Sequence, residues 1–239
     1  MRQIIDISVK DVIPGRKEVF ASQGIPSNVD IPSKVIEIFN TATELFMQQA
    51  DPVGIIYEVS IPEFDIIYEG EGLNEPETPL EKIYRKADYL ALFATTIGEK
   101  ISKTIANLSN NNELALGSML DSVASEGADK VADKLEEYLS DILSLNGLIK
   151  PDTGILRYSP GYCGWHISGQ KKLFEFLHPE EIGIMLLDSY IMKPIKSVSG
   201  VIVVGNRKIH IFKDNYPFCA QCETHSCRER IRSLFKDKK

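Results

Sequence analysis

A ten-residue segment, 157–166, combines a cation, a tight turn and aromatic rings. It contains Arg157, the pair Pro160-Gly161, Tyr162 and Trp165. Because glycine lets the main chain approach a ligand closely, the Pro-Gly turn could offer its amides and carbonyls to a small molecule. The planar guanidinium of Arg157 suits a carboxylate, and the two rings suit an adenine or a cation. The segment predicts a small-ligand site, although an ordinary surface turn has the same composition.

A cluster of cysteines near the end of the chain is the second candidate site. Cys219, Cys222 and Cys227 lie within nine residues. A Cys-x-x-Cys spacing lets two thiolates hold one metal ion, and a third can join the same zinc or iron–sulfur site. The candidates for a fourth ligand are Cys163, His210 and His225. Such a centre could admit electrons; reduced thiols without metal are the alternative.

Composition and charge exclude several classes of protein. The 239 residues are 43% hydrophobic and 26% charged, which is typical of a globular chain. No apolar run approaches the roughly 18 to 20 residues that a membrane span needs. Asp6 interrupts the N-terminus before the apolar core of a signal peptide could form, so a cytoplasmic protein is expected. No nucleophile–histidine–acid triad, phosphate-binding glycine loop or paired-histidine zinc helix is visible.

The net charge of −7 is unevenly distributed. Residues 206–239 contain nine Lys/Arg and four Asp/Glu, so the remainder of the chain is strongly acidic. Because contacts to phosphates need clustered cations, the acidic part argues against general nucleic-acid binding. The basic tail could meet a phosphate or an acidic partner protein, or could be a solvated helix.

The first two thirds of the chain should supply helices and strands to position these sites. Helical spacing of apolar residues spans 35–46, and 54–61 alternates like a strand. A capping box at Thr78, with proline following it, predicts the start of a helix. The apolar run 89–97 fits either the continuation of that helix or a buried strand. Apolar steps of three and four predict one long amphipathic helix over about 113–144, with Gly127 at a close contact or bend.

The last third reads as turns and strands. Residues 173–177 predict a short helix that His178-Pro179 interrupts. Residues 185–192 and 198–204 read as strands, and the second should form a hairpin with 208–212 through the Gly205-Asn206 turn. Helices and strands in blocks predict an α+β fold with a mainly antiparallel, twisted sheet and long helices.

Several separated motifs, in order, resemble the activation domain of cobalamin-dependent methionine synthase. They are Arg157-x-x-Pro160-Gly161-Tyr162, the Ser-Tyr-x-Met-x-Pro of 189–194, the Ser-Val-Ser-Gly of 197–200, and the helical stretch 128–139 with Asp133. The resemblance extends over about 89–212. It implies that domain's fold, within the α+β class predicted above.

The resemblance also implies a function and a set of site residues. The family binds S-adenosylmethionine opposite the corrinoid of a partner module, and when Co(I) has been oxidised to Co(II), one electron and the sulfonium methyl group restore methylcobalamin. By position in the motif, Arg157 would hold the methionine carboxylate. Ser159, Gly161 and Tyr162 would line the ligand. Asp133 falls where the family has a glutamate near the positive end of the ligand.

Some positions depart from the family pattern. The aromatic pair after the Ser-Gly motif is replaced near Ile209-His210, and the first seventy residues do not match recognisably. Gly164 stands where a cobalamin module would have the aspartate of its Asp-x-His signature, so His166 is interpreted as a turn residue and not a cobalt ligand. The cobalamin must therefore come from a partner, a corrinoid-binding methyltransferase subunit, and the electron from a donor protein.

These observations predict three regions and one function. The regions are an N-terminal α/β segment packed on the body (1–75), the S-adenosylmethionine-binding core (76–215) and a cysteine-rich basic tail (216–239). The expected function is reactivation of a Co(II) corrinoid by reductive methylation, within a cobalamin-dependent methyltransferase system. The alternative is a metal or iron–sulfur redox module that docks on a corrinoid protein without transferring a methyl group.

Overall fold

A five-stranded antiparallel sheet with helices on both faces organises the chain. The computed structural model describes residues 1–212 and 226–235, the side chains of 226–229 excepted. The strands are β1 (Arg2–Asp6), β2 (Val53–Val59), β3 (Tyr89–Thr96), β4 (Thr153–Tyr158), β5 (Met185–Leu186), β6 (Met192–Lys193) and β7 (Ser197–Asn206). The helices are α1 (Arg16–Ser22), α2 (Ser33–Gln49), α3 (Ile61–Glu69), α4 (Pro79–Tyr84), α5 (Glu99–Asn110), α6 (Leu114–Leu145), α7 (Gly169–Leu177) and α8 (Ser226–Leu234).

The strand order brings distant parts of the sequence into one sheet. The order is β1-β2-β3-β7-β4, and each neighbouring pair is antiparallel. The N-terminal segment supplies β1 and β2, and β4 forms the opposite edge. The short strands β5 and β6 pair separately. The predicted α+β fold with a mainly antiparallel sheet is confirmed.

The sheet buries both of its faces. On one face, Phe93 of β3 and Ile202 of β7 pack with Leu135 and Leu139 of α6. On the other face, the core includes Leu92 and residues of α3, α4 and α7. A third core lies among α2, α5 and α6. Within the described ranges, no helix is both long enough and apolar enough to cross a bilayer.

This architecture confirms two predictions from the sequence and decides between two alternatives that the sequence left open. Thr78 is the N-cap of α4, accepting a hydrogen bond from the Glu81 amide at 3.3 Å. Residues 89–96 form strand β3 rather than a helix, since both faces of the sheet are covered and its residues can be continuously apolar. The long helix exists as α6, and Gly127 lies where a Cβ atom would come within 2.5 Å of the Phe46 ring.

Two predictions about the last third are wrong. The run 185–192 is not one strand, because a turn closed by a hydrogen bond from the Leu187 amide to the Ile191 carbonyl (2.9 Å) divides it into β5 and β6. The hairpin of β7 with 208–212 does not form, since β7 already pairs with β3 on one side and β4 on the other. Residues Arg207–His210 instead form a 3₁₀ helix, capped by the Asn206 side chain.

Candidate functional site

Arg157 lies near the end of edge strand β4 and points toward helix α6. Its neighbours Leu156 and Tyr158 belong to the core on the opposite face of the sheet, as the alternation of a strand requires. The Arg157 Nη1 atom lies 2.6 Å from Asp133 Oδ1 and 3.7 Å from Glu136 Oε2. The Arg157 side chain is only 11% exposed, whereas the Asp133 side chain is 55% exposed. The structure therefore brings together the two charged residues that the sequence assigned to one site.

Helix α6 presents three carboxylates to this edge of the sheet. Asp129, Asp133 and Glu136 are separated by four and three residues, so they lie along one side of the helix. Arg157 forms an ion pair with Asp133. Burial raises the pKa values of Asp129 and Glu136, and the positive charge of Arg157 opposes that increase. The apolar side of the same helix, including Leu135 and Leu139, is buried on the sheet. Burial of that side fixes the orientation of the acidic side toward β4.

A second arginine reaches the site from the C-terminal helix α8. Arg230 Nη1 donates a hydrogen bond to the Arg157 carbonyl oxygen at 2.9 Å. Ile231 and Leu234, on the same helix, pack against the core that contains Leu156 and Tyr158. Helix α8 thus covers part of the outer edge of β4, where main-chain groups have no neighbouring strand.

Burial governs the ionisation of Glu136. Desolvation raises the pKa of this carboxyl group, and the charges of Arg157 and Arg230 oppose the increase. Asp133, one turn away, adds to it by repulsion between like charges. The Oε2 atom of Glu136 is shielded from solvent and accepts no hydrogen bond from the described residues. The site therefore contains a buried oxygen acceptor beside a nearly buried arginine.

The loop after β4 carries the remaining predicted ligand-lining residues. Ser159 is partly buried, Gly161 is exposed with a φ of +91°, and Tyr162 is 51% exposed. The Gly161 amide donates to the Trp165 carbonyl at 2.8 Å, and the Trp165 amide donates to the Tyr162 carbonyl at 3.0 Å. Because the amide of Gly161 is engaged within the loop, the Tyr162 ring and the Ser159 hydroxyl are the loop's more available contacts.

Trp165 does not offer its ring to a ligand, contrary to the expectation from the sequence. It is 1% exposed and packs edge-to-face on Phe64, with ring centroids 5.6 Å apart. His166 behaves as the expected turn residue: its amide donates to the Asn74 side chain at 2.8 Å and its Nδ1 atom lies 2.8 Å from the Ser168 hydroxyl.

His210, which stands near a departure from the family pattern, is fully buried. Its Nδ1 atom lies 2.9 Å from the Tyr158 hydroxyl, and Nε2 lies 3.3 Å from the Gly154 carbonyl oxygen. Burial lowers the pKa of the imidazole to about 4, with the bond to Gly154 opposing the change. His210 therefore supports β4 from inside the protein and does not form an exposed pocket wall.

The predicted metal site falls outside the described part of the chain. Cys219 and Cys222 lie between the two described ranges, and for Cys227 only the main chain is described. Within the described ranges, no group of three or more His, Cys, Asp or Glu residues is arranged to hold a metal ion. Zinc or iron–sulfur binding by these cysteines stays a prediction.

Sequence reasoning missed Glu136 and Arg230. The spacing of Glu136 from Asp133, one helical turn, is a signal that could have found it once Asp133 was a candidate. No local signal marks Arg230, because its approach to β4 depends on how the C-terminal helix packs against the sheet.

The antiparallel sheet, the long helix α6 and the nearly buried Arg157 near the end of edge strand β4 define an α+β domain with a candidate small-ligand site at one edge of its sheet. Residues 80–216 match the sequence family described as "Vitamin B12 dependent methionine synthase, activation domain". This match includes more than half of the chain, and the chain belongs to that family.

A solved structure has the same fold. The chain is similar to the reactivation domain of MetH, determined with bound AdoHcy, with a TM-score of 0.63 and 15% sequence identity. The similarity covers 97% of this chain and 89% of that one. No curated protein matches the chain significantly. At 15% identity the structural similarity establishes the fold alone, and the bound AdoHcy is an observation on the MetH domain.

Proposed function

We propose that the protein binds S-adenosylmethionine at the end of β4 and supports the reductive methylation of a corrinoid held by a partner methyltransferase. Membership of the activation-domain family and the fold shared with a reactivation domain support the role. The observation that carries the ligand assignment is Arg157, a nearly buried cation beside the carboxylates of α6. A partner's corrinoid would accept the sulfonium methyl group together with one electron from a donor protein, leaving S-adenosylhomocysteine.

Each end of the ligand has a counterpart in this chain. The Arg157 guanidinium can take the ligand carboxylate in place of Asp133, whose side chain is 55% exposed and can turn toward solvent. The ligand carboxylate would replace the negative charge of Asp133 on Arg157, so the nearly buried guanidinium would not be left without an anion. Asp133 would then lie close to the ammonium and sulfonium charges. Ser159, Gly161 and Tyr162, which follow Arg157 directly, would line the remainder of the ligand.

The first test measures ligand binding by calorimetry with the purified protein. S-adenosylmethionine and S-adenosylhomocysteine should both bind, and Arg157→Ala should weaken binding by about 1.5 to 3 kcal/mol, the range for a hydrogen bond to a charged group. Arg157→Lys keeps the charge but loses the planar fork, and should show an intermediate loss. Lys134→Ala removes a cation of α6 that pairs with Glu137 at 2.7 Å, and should bind as the wild type does.

The second test concerns the partner. With a Co(II) corrinoid protein and a low-potential reductant, S-adenosylmethionine should yield the methylated corrinoid, followed by its visible spectrum. The protein alone should not turn over. Methyl transfer to homocysteine without any corrinoid would contradict the proposal and indicate an ordinary methyltransferase.

A further inference from the structure

Glu136 has an unusual position in the site. Its Oε2 atom is shielded from solvent and lies 3.7 Å from Arg157 Nη1, beyond hydrogen-bonding distance. It accepts no hydrogen bond from residues that the structure describes. Asp133, by contrast, is paired with Arg157 at 2.6 Å and is half exposed. The Glu136 side chain is 23% exposed, and its carboxyl group also has a hydrogen bond from the Arg157 main chain, so the acceptor without a donor is the single buried atom Oε2. The two acids are therefore not equivalent.

A buried carboxylate oxygen without a hydrogen bond is costly, and such atoms in folded proteins call for an explanation. The chemistry of the proposed ligand offers one. In an α-amino acid the ammonium nitrogen lies about 3 Å from its own carboxylate oxygens, as standard bond lengths require. A ligand that replaces Asp133 on Arg157 with its own carboxylate would place its ammonium group near Glu136. Because Oε2 is shielded from solvent in this structure, this contact also requires that Asp133 move away from Arg157.

We propose that Glu136 is a specificity-determining residue that accepts a hydrogen bond from the α-ammonium group of the ligand whose carboxylate binds Arg157. The inference rests on the proposed function and assigns one end of the same site. The two acids then have different roles. Glu136 binds the amino group of the ligand, and Asp133 moves away from Arg157 so that the ligand carboxylate can take its place. Burial raises the pKa of Glu136, and the positive charges of Arg157 and Arg230 oppose that increase and so favour the ionised carboxylate that this contact needs.

Three related ligands separate the contact from general effects on the pocket. S-adenosylhomocysteine has both the α-ammonium group and the carboxylate. Its desamino analogue, the 4-thiobutyrate thioether of 5′-deoxyadenosine, keeps only the carboxylate. 5′-Methylthioadenosine has neither group. The wild type should prefer S-adenosylhomocysteine to the desamino analogue. Glu136→Gln should lose about ten- to hundredfold in affinity for S-adenosylhomocysteine, the effect of a charged hydrogen bond, while binding the other two as the wild type does.

The matched control is Glu137→Gln, the next residue on α6, whose carboxylate pairs with Lys134 on the surface. It should leave all three affinities unchanged. Glu136→Ala, checked for folding by its melting temperature, should show the same ligand selectivity as Glu136→Gln. An unchanged preference in both Glu136 variants, or an equal loss for all three ligands, would overturn the assignment while leaving the proposed function standing. Failure of the wild type to bind any of the three would instead refute the proposed function, and this assignment with it.

Discussion

Acidification should destabilise the fold next to the site through His210. The imidazole is fully buried between the Tyr158 hydroxyl and the Gly154 carbonyl. A carbonyl oxygen can only accept, so Nε2 carries the proton and Nδ1 accepts from Tyr158. Protonation of Nδ1 would remove that acceptor and place a charge in the core. Accordingly, burial lowers the pKa from its ordinary 6.5 to about 4.

The size of the effect follows from linkage between protonation and folding. Because the folded pKa is below the unfolded one, the unfolded chain binds the proton more readily, and stability is lost as the pH falls below 6.5. A change from 6.5 to about 4 corresponds to a loss of about 2 kcal/mol at pH 5 and about 3 kcal/mol at pH 4, relative to pH 7.5. This penalty should level off below the folded pKa.

Urea unfolding at pH 7.5 and pH 5 measures this contribution by difference. The other titrating groups are common to the wild type and His210→Gln, so the wild type should lose about 2 kcal/mol more of its unfolding free energy between the two pH values. His178→Gln, a change at an exposed histidine, should lose as much unfolding free energy between the two pH values as the wild type does. If His210→Gln lost as much stability as the wild type, the buried neutral imidazole would not be the source of the acid sensitivity.

Two further predictions concern packing around the site. Gly127→Ala should lower the free energy of unfolding by about 1 to 3 kcal/mol, because the added methyl group would overlap the buried Phe46 ring. Gly117→Ala in the same helix, where the nearest atom would lie at 3.4 Å, should raise the free energy of unfolding by about 0.5 to 1 kcal/mol. Thermal unfolding measures both changes. Arg230→Gln removes a hydrogen bond to the main chain of β4 and should cost about 1 kcal/mol, measured by urea unfolding; the exposed Arg232→Gln should cost nothing measurable, and equal effects of the two would contradict a specific contact of α8.

The elements that sequence reasoning predicted best were those whose signal is local. The long helix α6 has an unbroken apolar stripe, and the N-cap of α4 is defined by Thr78 and the proline after it. The hairpin predicted after β7 failed for a reason that is not local. A β-branched run followed by Gly-Asn favours a hairpin, but β7 is the fourth strand of the sheet and has β3 and β4 on its two sides. Pairing with distant strands therefore prevailed over the nearby turn signal.

The same distinction applies to the site. The family resemblance assigned Asp133 and Arg157 to one ligand site but did not predict that they form an ion pair, and nothing in a spacing of 24 residues predicts one either. Trp165 was misplaced because an aromatic residue beside a Pro-Gly turn looks the same whether it faces a ligand or the core. Glu136 and Arg230 come close to Arg157 only through tertiary packing: α6 crosses the sheet next to edge strand β4, and α8 covers the outer side of that strand. An edge strand has main-chain N–H and C=O groups that no further strand can pair with. On β4 one of these groups is bound by Arg230 from helix α8, so the residue that satisfies the main chain also adds a positive charge beside the ligand site.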